Sequence, residues 1–440
     1  MWSRNPALGY PEHPPLVAWI IYAFTHIFGT NEFGTRFFFV LLIFFSGLLI
    51  YRITRHLYGT EEPAFFAAFL FHILPITQFA VLAKTDILFL FFFLLVAHAA
   101  LQGDLILLAL ALGLTFLSKL LAPFVVLSVL LYFLMEKNKF WRKKEFIPAL
   151  LVFLILVSPV VFWNLKNRLL TVGMRFGHQV SERVTLRFFF ELYLAQFLIF
   201  SPLIFGLIIA AFIRICREKN ALFLSFSVPL LLFFTFYSLK ARAGIHWTAA
   251  PLALLLIKTG EMYSESGRKW FYHAALGLSA LLSIFILYLP LFPRIIPANW
   301  AYSGRKEWVN ARRLNELYGW KELGDEILKL YRPLEGPKFI LVSRWGLGTL
   351  ISFHTDEIMT FTIYEPTRNG RSLYLWEKKY NFINRNAVVI FDYKDARGKD
   401  PVKDFQEWFE KIEKAGEFEY SGRRYYFYRA YSFKKIRPHL

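Results

Sequence analysis

What most constrains this chain is the recurrence of apolar runs too long for ordinary core helices. "FFFVLLIFFSGLLI" and "ILFLFFFLLVAHAAL" are two of them. A hydrocarbon core about 30 Å thick needs roughly 20 such residues per helical crossing. Runs of this kind fill most of residues 34–289. Only 19% of the 440 residues are charged and 50 are Phe, against the habit of soluble domains of this size. The fold class is therefore a polytopic α-helical membrane protein. Ten spans are expected, at 34–51, 61–78, 86–102, 104–118, 120–134, 146–163, 188–213, 220–238, 247–260 and 270–289.

Basic residues set the expected orientation. Arg52, Arg55 and His56 follow the first span, "EKNKFWRKKE" the fifth, and Arg214, Arg217 and Lys219 the seventh; "GRK" precedes the tenth. Alternating spans put these on one side, and the positive-inside rule makes that side cytoplasmic. The formal net charge of +19 then needs no nucleic acid partner. The single cysteine, Cys216, rules out an internal disulfide and a thiolate metal cluster. Residues 15–30 are short for a crossing, and counting them as one would turn every basic loop outward. They are expected as a helix along the outer surface, started by Pro14 and Pro15.

From residue 291 the character changes, which suggests a membrane domain over 1–290 and a second domain over 291–440. "GWKELGDEILKLY" has helical spacing, while "KFILVS", "IMTFTIY", "NAVVIFDY" and "GRRYYFYRAY" are strand-like. A soluble α/β domain on the outer side follows. It has no glycine-rich nucleotide fingerprint, so no nucleotide or organic cofactor is expected.

Membrane-depth charge is costly unless paired or wetted, so clusters of it are functional candidates. Lys84 and Asp86 stand at the outer entry to one span, and Lys119 at an outer turn. Arg175, His178 and Gln179 lie in the longest outer loop, and Lys240, Arg242, His246 and Trp247 in a later one. Each has a plainer explanation as well: Lys84 and Asp86 pairing with each other, Lys119 snorkelling to the headgroups, Trp247 in the aromatic belt. Glu12 and His13 precede two prolines in a preformed loop, or serve as a cap and a surface imidazole. Cations there suit a phosphate, and a carboxylate suits a hydroxyl or a divalent ion.

The stretches "WSRNPALGYPEHPPLVAW", "LAKTDILFLFF", "SPVVFWNLKN", "MRFGHQ" and "FYSLKARAGIHWTAAPL" occur in that order. Together they resemble bacterial membrane glycosyltransferases of the protein O-mannosyltransferase-like class, including the aminoarabinose and galacturonic acid transferases of lipid A. The resemblance runs over about residues 1–290. It implies a C-type glycosyltransferase fold in the bacterial inner membrane, monomeric, with its site facing the periplasm. The implied donor is a sugar on polyprenyl phosphate, and the acceptor a hydroxyl of lipid A, another glycan or lipid, or a protein, with inversion.

Carried over by the resemblance, Glu12 and Asp86 are the catalytic carboxylates. His13, Arg175, His178, Gln179, Lys240, Arg242 and His246 are substrate contacts, and Lys84 joins them from its charge at membrane depth. Glu12 and His246 are implied ligands of a divalent ion, magnesium, manganese or zinc. The family also carries an amino-terminal span and an Asp-Glu pair ahead of the tryptophan found here as Trp2. The usual base is therefore expected upstream of Met1. Two other classes remain open on these residues: a noncatalytic binder of lipid-linked sugar, and a transporter of lipid-linked substrate. The latter calls for inverted repeats and mid-bilayer charge.

Overall fold

The computed structural model describes residues 2–171, 173, 184–288, 319–355, 360–362, 372, 381–392, 401–420 and 423–434. The chain divides into two compact units, Trp2–Leu287 and Tyr288–Leu440.

The first unit is helical. Its elements are α1 (Leu16–Phe28), α2 (Glu32–Tyr58), α3 (Glu61–His72), α4 (Thr85–Gln102), α5 (Leu105–Ser118), α6 (Ala122–Met135) and α7 (Phe146–Lys166). After these come α8 (Leu186–Ile199), α9 (Pro202–Glu218), α10 (Ala221–Ser238), α11 (Ala249–Glu265) and α12 (Lys269–Tyr288). Among the described residues, α2, α4, α7, α10 and α12 are long and apolar enough to cross a membrane, and α8 with α9 makes a sixth if that bent pair is one span. Apolar side chains such as Ile155 and Phe162 of α7 face outward, which suits hydrocarbon and would aggregate in water. Close helix approaches rest on small residues: a Cβ on Gly260 of α11 would strike the Pro63 carbonyl of α3 at 2.4 Å.

Of the ten expected crossings, those at 104–118, 120–134 and 247–260 are the helices α5, α6 and α11 of 14, 14 and 17 residues, short of the length of a crossing, and two more are broken. Residues 61–78 are not one helix, because α3 stops at His72 and a 3-10 segment takes over at Pro75–Leu82. Proline has no N–H to donate and pushes Leu74 off helical geometry. The helix end is satisfied by side chains instead. Thr77 Oγ1 donates to Leu74 O at 2.7 Å, and Gln78 Nε2 to His72 O at 3.2 Å. Ser279 and Ser283 of α12 both donate to Ile73 O, at 3.0 and 2.6 Å. Residues 188–213 are likewise broken. Ser201 sits at φ 70°, Pro202 opens α9, and the axes of α8 and α9 turn by 110°. The stretch 15–30 holds one short helix, α1, ended by Gly29 at φ 82°.

The basic segments converge on one end of this unit. Gln102 of α4 meets His56 of α2, and Lys143 donates to Gly103 O at 3.0 Å. Arg214 of α9 bonds Glu265 of α11, and Lys269 of α12 bonds Glu62 of α3. The start of α4, the end of α5 and the start of α11 therefore lie at the opposite end.

The second unit is built on a five-stranded sheet of order β2-β1-β3-β5-β4, from β1 (Lys338–Val342), β2 (Thr360–Thr362), β3 (Asn386–Asp392), β4 (Phe409–Tyr420) and β5 (Arg423–Phe433). β1 runs parallel to both β2 and β3, while β3–β5 and β4–β5 are antiparallel. Alternation splits the strands between two cores. Ile340, Val342, Val388 and Ile390 pack with α13 (Trp320–Tyr331) and α14 (Trp345–His354); Phe339, Leu341, Val389 and Phe391 pack with Phe405 and Phe433.

Candidate functional site

At the end away from the basic loops, three elements bring charge together. Asp86 stands in the first turn of α4, where a helix N-terminus favours an anion. Lys119 ends α5 in extended backbone, which turns its side chain back into the bundle. Its ammonium group donates to Asp86 Oδ1 and lies 5.4 Å from the Phe89 ring centre and 5.9 Å from that of Trp247. The second carboxylate oxygen, Oδ2, lies 3.3 Å from His246 Nε2. Both oxygens of Asp86 are thus engaged from different segments of the chain. The side chain of Asp86 is 15% exposed, so it is neither sealed nor free.

The segment between α10 and α11 carries His246. Its turn is tight, and a Cβ on Gly244 would lie 2.6 Å from the Trp247 indole nitrogen. Trp247 packs on Phe234 and Tyr237, with centroids 5.8 Å apart in each pair. The cluster opens into a cleft with an empty volume of about 650 Å³, open solvent included. Its polar residues are Thr77, Lys84, Asp86 and His246; its apolar wall includes Ile43, Phe71, Leu90 and Phe200. This mostly apolar cleft has two ammonium groups for one carboxylate, Lys84 on its lining and Lys119 bonded to Asp86. That arrangement can take the phosphate of an amphiphile and keep its tail dry.

The opening loop forms a second constellation. Tyr10 is buried, and its hydroxyl lies 3.0 Å from Trp2 O and 2.9 Å from Asn5 O while accepting the Ala7 N–H at 3.2 Å. Burial pushes that hydroxyl up to about 12, so it stays protonated. Trp2 stacks on Tyr10 and meets His13 edge-on. Gly9 lets the loop lie on Trp163 of α7, where a Cβ would come within 2.8 Å of the indole, and Thr171 Oγ1 donates to Tyr10 O at 3.0 Å. Glu12 is buried in this loop.

The sequence-derived residues therefore separate. Lys84, Asp86 and His246 share the cleft, and neither Glu12 nor His13 lines it. Arg242 is exposed and bonds Glu191 at 2.9 Å, beside Arg187 on the same carboxylate. Lys240 is exposed. Arg175, His178 and Gln179 lie outside the described residues. Lys119, for which snorkelling was the sequence expectation, is the buried partner of Asp86. The signal for it was its place after an apolar helix that ends in Thr115 and Ser118. One carboxylate and one imidazole, with an ammonium group already on the carboxylate, do not make a divalent ion's ligand set. Among the described residues no group of three or more His, Cys, Asp or Glu could hold a metal.

A family model of dolichyl-phosphate-mannose-protein mannosyltransferases matches residues 12–163. The lipid A galacturonosyltransferase RgtD of Rhizobium johnstonii is 27% identical over 260 residues, 56% of this chain and 55% of that protein. The match thus spans about half of that relative's length. An uncharacterized protein of Aquifex aeolicus is 43% identical over 51 residues, 12% of this chain and 10% of its own. The crystal structure of ArnT from Cupriavidus metallidurans, solved in the apo state and bound to undecaprenyl phosphate, superposes with a TM-score of 0.64. It is 13% identical, and the match covers 95% of this chain and 88% of that one. The chain resembles the polyprenyl-phosphate-dependent membrane glycosyltransferases, and its fold is the C-type glycosyltransferase fold.

Proposed function

We propose that this protein transfers a sugar from a polyprenyl-phosphate donor to a hydroxyl acceptor in the bacterial inner membrane. The observation that carries the proposal is the cleft: apolar along most of its wall, lined by Lys84, Asp86 and His246, with Lys119 bonded to that Asp86. The likeness to a lipid A galacturonosyltransferase, to the mannosyltransferase family and to a fold seen with undecaprenyl phosphate supports this substrate class. Lipid A is the acceptor favoured by that relative; another glycan, a lipid or a protein hydroxyl is the wider class.

In the proposed reaction the acceptor oxygen attacks the anomeric carbon from the face opposite the phosphate. The bond from that carbon to the phosphate oxygen breaks, its electron pair stays on the polyprenyl phosphate, and the configuration inverts. The acceptor proton passes to a carboxylate. Lys84, Lys119 and His246 stabilise charge growing on the leaving phosphate, and one well-aimed donor of this kind contributes about 3 kcal/mol. Asp86, with both oxygens engaged, holds Lys119 and His246 in place. Glu12, which does not line the cleft, is a further carboxylate to test as the base, with His13 beside it toward the donor. Lys240, Arg242, Arg175, His178 and Gln179 stay in the proposal as outer-loop contacts to the carrier or sugar. A divalent ion on Glu12 and His246 needs ligands beyond the cleft.

The basic loops at the other end support an outward-facing cleft through the positive-inside rule. The sheet domain is proposed on the same outer side, and the working unit is a monomer. The test is sugar transfer by the full chain in lipid nanodiscs, from undecaprenyl-phosphate sugars to lipid A. The expected result is glycosylated acceptor of inverted configuration and free undecaprenyl phosphate. Donor binding without turnover, across donors and acceptors, overturns the enzyme reading in favour of a carrier-lipid binder.

A further inference from the structure

The segment that presents His246 is held from behind by a residue outside the cleft. Gln196 lies on the last turn of α8, is 1% exposed, and its side-chain Nε2 donates to the Ile245 carbonyl at 2.6 Å. Ile245 and His246 both line the cleft. A carbonyl accepts and never donates, so the amide must present its nitrogen there. Its Oε1 is then left buried with no partner among the described residues. A buried polar atom without a partner is costly, and packing alone would favour methionine or leucine here. Four residues further on, Phe200 caps α8 and also lines the cleft, and Ser201 at φ 70° begins the 110° break. One buried amide therefore ties the break that carries one cleft wall to the turn that carries His246.

We infer that Gln196 is a positioning residue: its bond to the Ile245 carbonyl fixes His246 on Asp86. The Gln196 amide donates to the Ile245 carbonyl rather than to either of those side chains, so it acts through the backbone of the turn. The inference rests on the proposed transferase reading for its consequence in catalysis, but not for its structural content.

The experiment therefore has two readouts on the full chain in nanodiscs. The first is the rate at which diethyl pyrocarbonate modifies His246, followed by mass spectrometry of its peptide. The reagent attacks an accessible imidazole nitrogen, so an imidazole whose Nε2 is held 3.3 Å from Asp86 Oδ2 reacts slowly. Gln196→Met keeps the volume and removes the donor. It is expected to raise the His246 rate at least about five-fold, toward the rate in Asp86→Asn. Tyr193→Phe is the control, because it removes another α8 hydrogen bond, Tyr193 to Thr235 at 2.5 Å, that does not reach this turn. It should leave the His246 rate at the wild-type value. A Gln196→Met protein whose His246 stays as protected as wild type overturns the inference, as does equal exposure by Tyr193→Phe.

The second readout is the split between kcat and KM. Gln196→Met is expected to lower kcat about ten-fold with the donor KM changed less than about two-fold, since misplaced groups hurt the transition state most. An unchanged kcat in the presence of released His246 contradicts the catalytic consequence. If wild type transfers no sugar at all, the transferase reading fails while the modification rates still decide the role of Gln196.

Discussion

Lys119 and Lys258 are both buried ammonium groups in an apolar bundle, 8% and 2% exposed. Both bond carboxylates, and α11 runs from beside the first to the position of the second. Their surroundings differ. Lys258 bonds Glu218 and Glu261, and Arg214 adds Glu218 and Glu265, so two cations face three carboxylates. That network ties α9 to α11 at the basic end, and none of its residues lines the cleft at Asp86. Around Asp86 the balance is reversed: Lys119 and His246 hold its two oxygens, and Lys84 adds a second ammonium group to the lining of the cleft they share with it. Buried charge therefore does not by itself mark a site. Unbalanced charge next to open apolar space does, because only there would a ligand complete the electrostatics.

The sharpest break between the two regions is expected from Asp86→Asn. Transfer should fall about a hundred-fold or more, as Lys119 and His246 lose the group that aims them. Donor turnover at saturating substrate measures it, and near wild-type kcat would remove the cleft from the account. Lys258→Met should act in the opposite sense, on stability. Stranding Glu218 and Glu261 costs about 2–3 kcal/mol, below the full value for a buried pair because Glu218 is partly wetted. Denaturation in detergent reads this, while transfer at a permissive temperature stays close to wild type. Tyr10→Phe should cost about 1 kcal/mol by freeing the carbonyls of the opening loop. The smallest effect is expected from Arg242→Ala. Arg242 is 74% exposed on Glu191, and such pairs contribute about 0–1 kcal/mol. A larger loss of transfer than from Asp86→Asn would move the site to the outer loop.

Much of this was legible in the sequence where the signal is local. Helices α2, α4, α7 and α10 follow uninterrupted apolar runs, and β1, β3 and β5 follow β-branched and aromatic runs. The failures have local causes too. Pro75 and Pro202 sit inside runs whose hydropathy barely dips, so each run looked like one crossing. β4, "FEKIEKAGEFEY", went unseen because its alternating Glu and Lys suit a solvated helix as well as an edge strand. Asp86 and His246 were candidates from charge at membrane depth. Lys119 was weighed there too, but its pairing with Asp86 was not legible, because it joins positions 33 residues apart and leaves no periodic trace. Arg242 drew attention as an outer-face cation, but its carboxylate, Glu191, lies 51 residues away on α8.

The central claim is that the cluster at Asp86, and no other buried charge in the bundle, receives the phosphate of a polyprenyl lipid. The direct measurement is equilibrium binding of undecaprenyl phosphate to the full chain in nanodiscs, compared for wild type, Lys84→Ala and Lys258→Met at two salt concentrations. The account predicts binding that Lys84→Ala weakens about ten-fold, that Lys258→Met leaves within about two-fold, and that salt weakens less in Lys84→Ala than in wild type. Equal affinity in all three proteins, or a greater loss from Lys258→Met, would contradict it.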